Sequence, residues 1–291
     1  MKYLRVLKNN NQISSETVKN AFYPNLISSF SLKMVFSGHT AYQIGKRELN
    51  LYPDSFLAIN QGTSFSSKVD SNIPVKNLSI SFAPEFLNDF YRTQTKNNKT
   101  LLDDPFYSGE QPEEFFLETI YPFEGDMKYN ILNLKNRLEQ EHPDDLLINE
   151  YLHHCLINYF KVFHKEVSNK SEKLNFLNTS TKVEILKRLT FAKEYISSNY
   201  NKNIDLEDIA QSACLSVNHL LRTFKQAYGK SPHQYLIQLR IDRSKYLLKN
   251  TRYTLNEIVE IIGFECPSSF IRLFKSLNKL TPGKYRQVAQ I

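Results

Sequence analysis

Residues 220–235 read LLRTFKQAYGKSPHQY, and fifty positions on residues 270–285 read FIRLFKSLNKLTPGKY. Arg222 matches Arg272, Phe224 matches Phe274, Lys225 matches Lys275, Pro232 matches Pro282 and Tyr235 matches Tyr285. Each copy follows a short apolar helical pattern and a turn. Such a tandem arrangement of helix-turn-helix patterns points to a helix presented to DNA twice over rather than to a catalytic centre.

Working outward, the pattern from residue 182 onward is all helical. Ile185, Leu189, Ala192 and Ile196 recur at helical spacing. Asp205, Ser216 and Thr254 stand where N-caps belong, Gly229 where a left-handed C-cap belongs, and Pro232 and Pro267 at first helical positions. On a helical wheel Val217, Leu220, Phe224, Ala227 and Tyr228 form one apolar stripe, and Pro267, Phe270, Phe274 and Leu277 form the other. Asn218, Arg222 and Lys225 lie opposite the first stripe, with His219 at its edge. Ser268, Arg272 and Lys275 lie opposite the second, with Ser269 at its edge. Leu221 and Ile271 sit on the borders.

These faces suit the major groove. Arginine donates two hydrogen bonds to guanine, asparagine pairs with adenine, and an aliphatic side chain meets the thymine methyl. The expected base-reading residues are therefore Asn218, Leu221, Arg222, Ser268, Ile271 and Arg272. The expected phosphate contacts are Ser216, His219, Lys225, Lys230, Ser269 and Lys275, which set affinity without sequence. The helix from 232 to 249 spans roughly 27 Å at 1.5 Å per residue, enough to hold two reading helices about one DNA turn, roughly 34 Å, apart.

Charge agrees. Residues 182–291 hold 18 of the chain's 37 Lys+Arg and 9 of its 30 Asp+Glu, leaving 19 basic against 21 acidic residues elsewhere. The entire positive excess lies in the segment with the repeat, so a polyanion partner is expected for that segment alone. Cys155, Cys214 and Cys266 are isolated in sequence, which excludes a C-x-x-C metal or redox motif and fits reduced thiols in the cytoplasm. No apolar run is long enough for a membrane span, and the first residues, MKYLRVLKNNNQISSE, do not make a secretion signal.

The N-terminal part reads differently. Short apolar runs at Leu26–Phe36, Tyr42–Ile44, Glu48–Leu51, Ser55–Ile59 and Val75–Phe82, separated by turns at 52–54 and 60–62, predict a small barrel or sandwich. Residues 84–125 are irregular and interrupted by Pro84, Pro105, Pro112 and Pro122, with a short helix at 84–92 and a strand at 115–120. Two helices follow, 126–141 and 144–165, broken at His142-Pro143. The polar stretch 169–181 reads as a linker. An α+β chain results: residues 1–168, the linker, and the all-helical 182–291.

The C-terminal residues resemble the DNA-binding domain of the AraC family of bacterial transcription regulators. The signature is Gly263-Phe264, then Phe270-Ile271-Arg272-Leu273-Phe274-Lys275, then Thr281-Pro282-Gly283-Lys284-Tyr285-Arg286. Leu239-Arg240-Ile241 fits the connector. Lys279 departs from the family's usual glycine and Cys266 from its usual capping serine. More weakly, residues 1–168 resemble the family's N-terminal arm, cupin-like β-barrel and paired helices (here about 126–166), Ile44–Gly62 fitting a strand–turn–strand pattern. The resemblance implies a sequence-specific transcription regulator, usually an activator, with double-stranded DNA and RNA polymerase as partners. It also implies a homodimer and a small-molecule effector in the barrel, the alternative being an N-terminal domain that only dimerises or binds a protein. Phe36, Tyr42, Phe56 and Phe65 are candidates for the effector pocket and equally for plain core. The segment has only His39 where metal-binding cupins carry several histidines, so no metal and no cofactor are expected. Two E-x-x-H sequences, Glu139…His142 and Glu150…His153, would suit a di-iron bundle, but only two helices flank them and they read better as surface.

Overall fold

The computed structural model describes residues 2–95, 117–140, 144–176 and 178–289. The chain divides into two compact units, residues 1–169 and 170–291.

The first unit is rich in sheet. Its strands are β1 Lys2–Val6, β2 Gln12–Ile27, β3 Ser31–Ser37, β4 Thr40–Ile44, β5 Arg47–Leu51, β6 Ser55–Ile59, β7 Ser64–Ser81 and β8 Ile120–Pro122. All pairings are antiparallel, and the path β1-β2-β7-β3-β6-β8 carries a β4–β5 branch on β7. The two long strands organise it. β7 keeps β2 along one side, while its other side pairs β4 through Phe65–Lys68 and β3 through Lys76–Ser81. Between these stretches β7 advances from Asp70 to Val75 while β2 moves only from Asn20 to Val18. The surplus residues bulge outward. Pro74, which has no N–H for the ladder, stands among them, and Ile73 is exposed. The bulge divides the sheet into two lobes.

Strand alternation then makes two cores. One face of β3, β6 and β7 presents Leu32, Met34, Phe56, Leu78 and Ile80 to helices α1 Pro84–Thr95, α2 Gly125–Leu138 and α3 Asp145–Glu172. Phe56 stacks on Tyr121 at 5.4 Å, and Tyr121 meets Tyr159 of α3 edge-on at 5.7 Å. Asn130 of α2 donates to the Tyr151 carbonyl and to Cys155 Sγ, each at 3.0 Å, and burial pushes the Cys155 thiol up to about 12. That cysteine is structural, not reactive. The other core joins the lobes: Val35, Leu57 and Ile59 of one pack with Tyr42, Ile44, Leu49, Leu51, Phe65 and Val69 of the other.

Several expectations need correction. The run 26–36 is not one strand, because the chain reverses at Ser28–Phe30, where Ser28 exchanges backbone hydrogen bonds with Thr63 and Gly62. β1, β2 and the first half of β7 escaped the sequence reading because their polar residues (Ser, Thr, Lys, Asn) hide the alternation. The helix expected to end at 165 continues to Glu172, since residues 166–172 hold neither Gly nor Pro. The stretch expected as a polar linker is thus helical at its start and contains a buried residue, Leu174. β8 begins at Ile120, and residues 115–116 of the expected strand, with Pro105, Pro112 and His142-Pro143, lie outside the described residues.

The second unit is helical: α4 Thr179–Ser198, α5 Leu206–Ser212, α6 Val217–Tyr228, α7 Pro232–Asn250, α8 Leu255–Ile261, α9 Pro267–Asn278 and α10 Pro282–Ala289. Side chains of Asp205, Ser216, Ser231 and Thr254 accept the cap hydrogen bonds at the starts of α5, α6, α7 and α8, with full capping boxes at the last two. Among the described residues no helix is long and apolar enough to cross a membrane.

Candidate nucleic-acid interface

The two helix pairs α5–α6 and α8–α9 have one build. Their first N-caps, Asp205 and Thr254, are 49 residues apart, whereas the starts of α6 and α9 are 50 apart, so the second turn holds one residue more. From the turn onward the copies agree in burial at most positions. Leu220 and Phe224 are fully buried, as are Phe270 and Phe274. Asn218, Arg222 and Lys225 are exposed, as are Ser268, Arg272 and Lys275. Leu221, His219, Ile271 and Ser269 are half-buried at the edges, Ser216 and Lys230 exposed. The structure thus exposes Asn218, Arg222 and Lys225 on α6 and Ser268, Arg272 and Lys275 on α9, with Ser216 and Lys230 just outside the ends of α6. Leu277, expected in the second stripe, is instead 48% exposed, while its counterpart Ala227 is 1% exposed. The 8-residue α10 covers less of that last turn than the 19-residue α7 covers of the equivalent one.

Charge pairing separates the two exposed helix faces from their scaffold. Among the described residues Arg222, Lys225, Lys230, Arg272 and Lys275 have no acidic or hydrogen-bond partner in their side chains. The other arginines that point inward are engaged. Arg240 of α7 donates to the Tyr200 and Lys202 carbonyls at 2.7 and 2.8 Å and lies over the Phe264 ring. Arg286 donates to the Tyr253 carbonyl at 2.5 Å, and Arg188 binds Glu184 and the Cys214 carbonyl. Basic side chains left unpaired on two matched faces are available for phosphates and bases; those used as carbonyl clamps are not. This role of Arg240 and Arg286 was invisible in the sequence, where they read only as motif letters.

One expected contact, His219, and one cap residue, Cys266, carry modifying neighbours. Burial first, and then Arg222 and Arg188, hold the His219 imidazole below its ordinary value, and the Phe176 ring lies edge-on to it at 6.1 Å. His219 is therefore held toward its neutral, hydrogen-bonding form. Cys266 caps α9 without a side-chain cap bond; hydrogen bonds with Ser268 and then Ser269 draw its thiol down to about 7.

Lys279 ends α9 in the left-handed region at φ 61°, the place Gly229 takes after α6 at φ 69°. Both donate their N–H four residues back, to Lys275 and Lys225. A side chain there is strained, so Lys279→Gly should raise stability by about 0.5–1 kcal/mol. Urea unfolding checks this, through a higher midpoint at unchanged slope; an unchanged midpoint would show that Lys279 bears no strain.

In the first unit the four aromatic pocket candidates part company. Tyr42 and Phe65 face the interior between the lobes, 6.2 Å apart, and burial raises the Tyr42 phenol. Phe56 and Phe36 lie on the opposite face, with the helices, where Phe36 meets Phe123 edge-on at 6.2 Å. Phe56 pairs with Met34, so register decides its side. Of the E-x-x-H residues, His153 packs on Phe86 at 4.4 Å and Glu150 lies 3.9 Å from His154. No group of three His, Cys, Asp or Glu among the described residues is placed to hold a metal.

A helical domain of stacked helix pairs, each exposing a matched basic face, defines a DNA-binding domain of the helix-turn-helix class. Residues 209–288 match a protein family described as a helix-turn-helix domain. The chain is 27% identical to a lactose operon transcription activator of Staphylococcus xylosus over 54% of this chain and 52% of that protein. It is 25% identical to a probable transcriptional regulator, LumQ, of Photobacterium leiognathi over 84% and 86% of the two chains. It is 31% identical to the Msm operon regulatory protein of Streptococcus mutans over 47% and 44%. The match spans about half the length of the first and third relatives and most of the second. The helix-turn-helix domain at residues 209–288 is of the AraC type.

Proposed function

We propose that this protein is a sequence-specific transcription regulator, an activator, in which both helix pairs act as helix-turn-helix units. α6 and α9 enter successive major grooves. The reading rests on one observation above others: two helices 50 residues apart expose the same Arg and Lys positions, and those side chains have no partners within the described residues. Arg222 and Arg272 read bases, helped by Asn218, Leu221, Ser268 and Ile271. Ser216, His219, Lys225, Lys230, Ser269 and Lys275 bind the backbone. α7, 19 residues and about 28 Å long, sets the spacing.

The first unit, with its cupin-like sheet, takes a small-molecule effector, and α2 and α3 pair two subunits. The complex works in the cytoplasm with RNA polymerase as partner, and the protein is not an enzyme. The named relatives, a lactose operon activator and an operon regulator, support a role in transcription regulation. Effector binding shifts the population between arrangements of the paired DNA-binding domains.

Selection of genome fragments by the purified protein at about 150 mM salt tests the reading, because non-specific binding is weakened there. Enrichment of two boxes about 10 base pairs apart is expected. Retention of DNA with no shared motif, with or without added metabolites, would leave only charge-driven binding.

Lys225 offers a finer check. Lys225→Ala should weaken binding to all sequences alike and reduce the salt slope by about one phosphate. A loss confined to one base position in a titration over several salt concentrations would reassign Lys225 to base reading.

A further inference from the structure

We propose that Arg240 is a positioning residue for DNA recognition. Its clamp on both halves of the second unit fixes the angle between α6 and α9, and so the number of base pairs tolerated between their two boxes. The proposal rests on the reading of both helix pairs as helix-turn-helix units.

α4 and α6 of the first half and α8 and α10 of the second all pack on α7. A single shared helix fixes distance along its axis and leaves rotation about that axis to other contacts. Rotation is what spacing selectivity needs. One base pair more moves a box about 3.4 Å along the duplex and about a tenth of a turn around it. A protein that rejects this change must hold its reading helices against both movements.

The contacts that join the halves away from the α7 axis meet at one place. Residues 199–205 connect α4 to α5, and residues 262–266 connect α8 to α9. Arg240, near the middle of α7, donates from Nε to the Tyr200 carbonyl at 2.7 Å and from Nη2 to the Lys202 carbonyl at 2.8 Å. The same guanidinium lies 5.5 Å from the centre of the Phe264 ring. Phe264 in turn meets the fully buried Phe270 of α9, with ring centres 5.5 Å apart. Between Tyr200 and Lys202, the Asn201 backbone lies against Gly263, so near that a Cβ there would come within 2.6 Å of the Asn201 carbonyl oxygen. One side chain of α7 thus holds both the loop ahead of the first pair and the turn of the second. Arg243, one helical turn on, lies 5.9 Å from the centre of the buried Tyr200 ring and steadies the same loop.

This junction asks for arginine. A planar fork reaches two carbonyls at once while its face meets a ring. Lysine keeps the charge but neither the fork nor the plane. The guanidinium is committed to the loop and the ring, so it places the reading helices and does not read.

The test uses the full chain and duplexes carrying its two selected boxes at the selected spacing, one base pair closer and one base pair farther. The unaltered chain should favour the selected spacing by about tenfold or more. In Arg240→Met that preference should fall to about threefold or less, while selectivity for bases within each box persists. Arg240→Lys should behave as Arg240→Met; if it keeps the preference, charge and not the clamp sets the spacing, and the proposal is overturned. A merely structural role would weaken binding at all spacings alike, and that result, or an unchanged preference, also overturns it. Should the Arg240 variants fail to fold, read by circular dichroism, Phe264→Leu and a distance measurement decide. Cys214 and Cys266 stand in the turns of the first and second pairs and take spin labels, whereas Cys155 is buried. The distance distribution between the labels should be narrow in the unaltered chain and broaden in Phe264→Leu. A broad distribution in the unaltered chain, or none of that broadening in the variant, overturns the proposal. If the unaltered chain selects no paired boxes, the reading of two helix-turn-helix units falls and this proposal with it. If it selects them and the Arg240 variants keep its spacing preference, the proposal alone falls.

Discussion

The Arg222→Ala, Arg272→Ala double variant binds the selected operator about 2–6 kcal/mol more weakly than the unaltered chain, each arginine contributing about 1–3 kcal/mol. The reasoning begins with geometry. Both side chains are exposed on the solvent side of a helix whose buried face is pinned by a pair of phenylalanines or leucine and phenylalanine, Leu220 and Phe224 in α6, Phe270 and Phe274 in α9. Neither arginine has an internal partner among the described residues, so the truncation removes DNA contacts and leaves the fold alone. The two sites lie on separate helices with no shared partner, so their losses add. Competition assays with operators altered one base pair at a time measure it. Each single variant should lose selectivity at its own box and keep it at the other. Unchanged affinity and selectivity in either single variant would place the reading face elsewhere on that helix.

Gly263→Ala should destabilise the C-terminal unit by about 2–5 kcal/mol. Two independent causes combine. Gly263 has φ 75°, where a side chain costs about 1–2 kcal/mol. A Cβ there would also come within 2.6–2.8 Å of the Asn201 backbone, which no side-chain rotation can relieve. Overpacking of this kind costs about 1–3 kcal/mol. Arg240 clasps the carbonyls on either side of Asn201, at Tyr200 and Lys202, so the backbone cannot yield easily. Cys214 occupies a left-handed position in the first turn, at φ 51°, but is exposed. Gly229→Ala supplies the control: its Cβ would meet nothing within 4 Å, so only the backbone term remains. Denaturant midpoints of the two variants separate strain from collision. Equal losses would show that the turn of the second pair moves freely away from Asn201.

Much of the helical unit was legible because its signals are local. A cap residue such as Asp205 or Thr254 acts on amides three positions away, a helix face repeats every 3.6 residues, and Gly229 and Pro232 punctuate within one turn. The exposed sets around Arg222 and Arg272 follow from the wheel alone. Leu277 did not follow, since its exposure depends on how far a neighbouring helix extends. The sheet was less legible. Whether Phe56 faces the helices or the opposite lobe depends on its partner Met34, and a one-residue slip in register would reverse it. The length of β7 depends on β2, β3 and β4 finding it from afar.

The sequence by itself determined the helical order from α4 to α10, the caps, the matched exposed faces and the concentration of positive charge in that segment, because these arise from contacts within a few residues. Tertiary structure alone decided which arginines are clamps and which are free, that Gly263 abuts Asn201, and which side of the sheet Phe56 faces. Each of those depends on residues brought together by packing and strand register, over separations that no local pattern encodes.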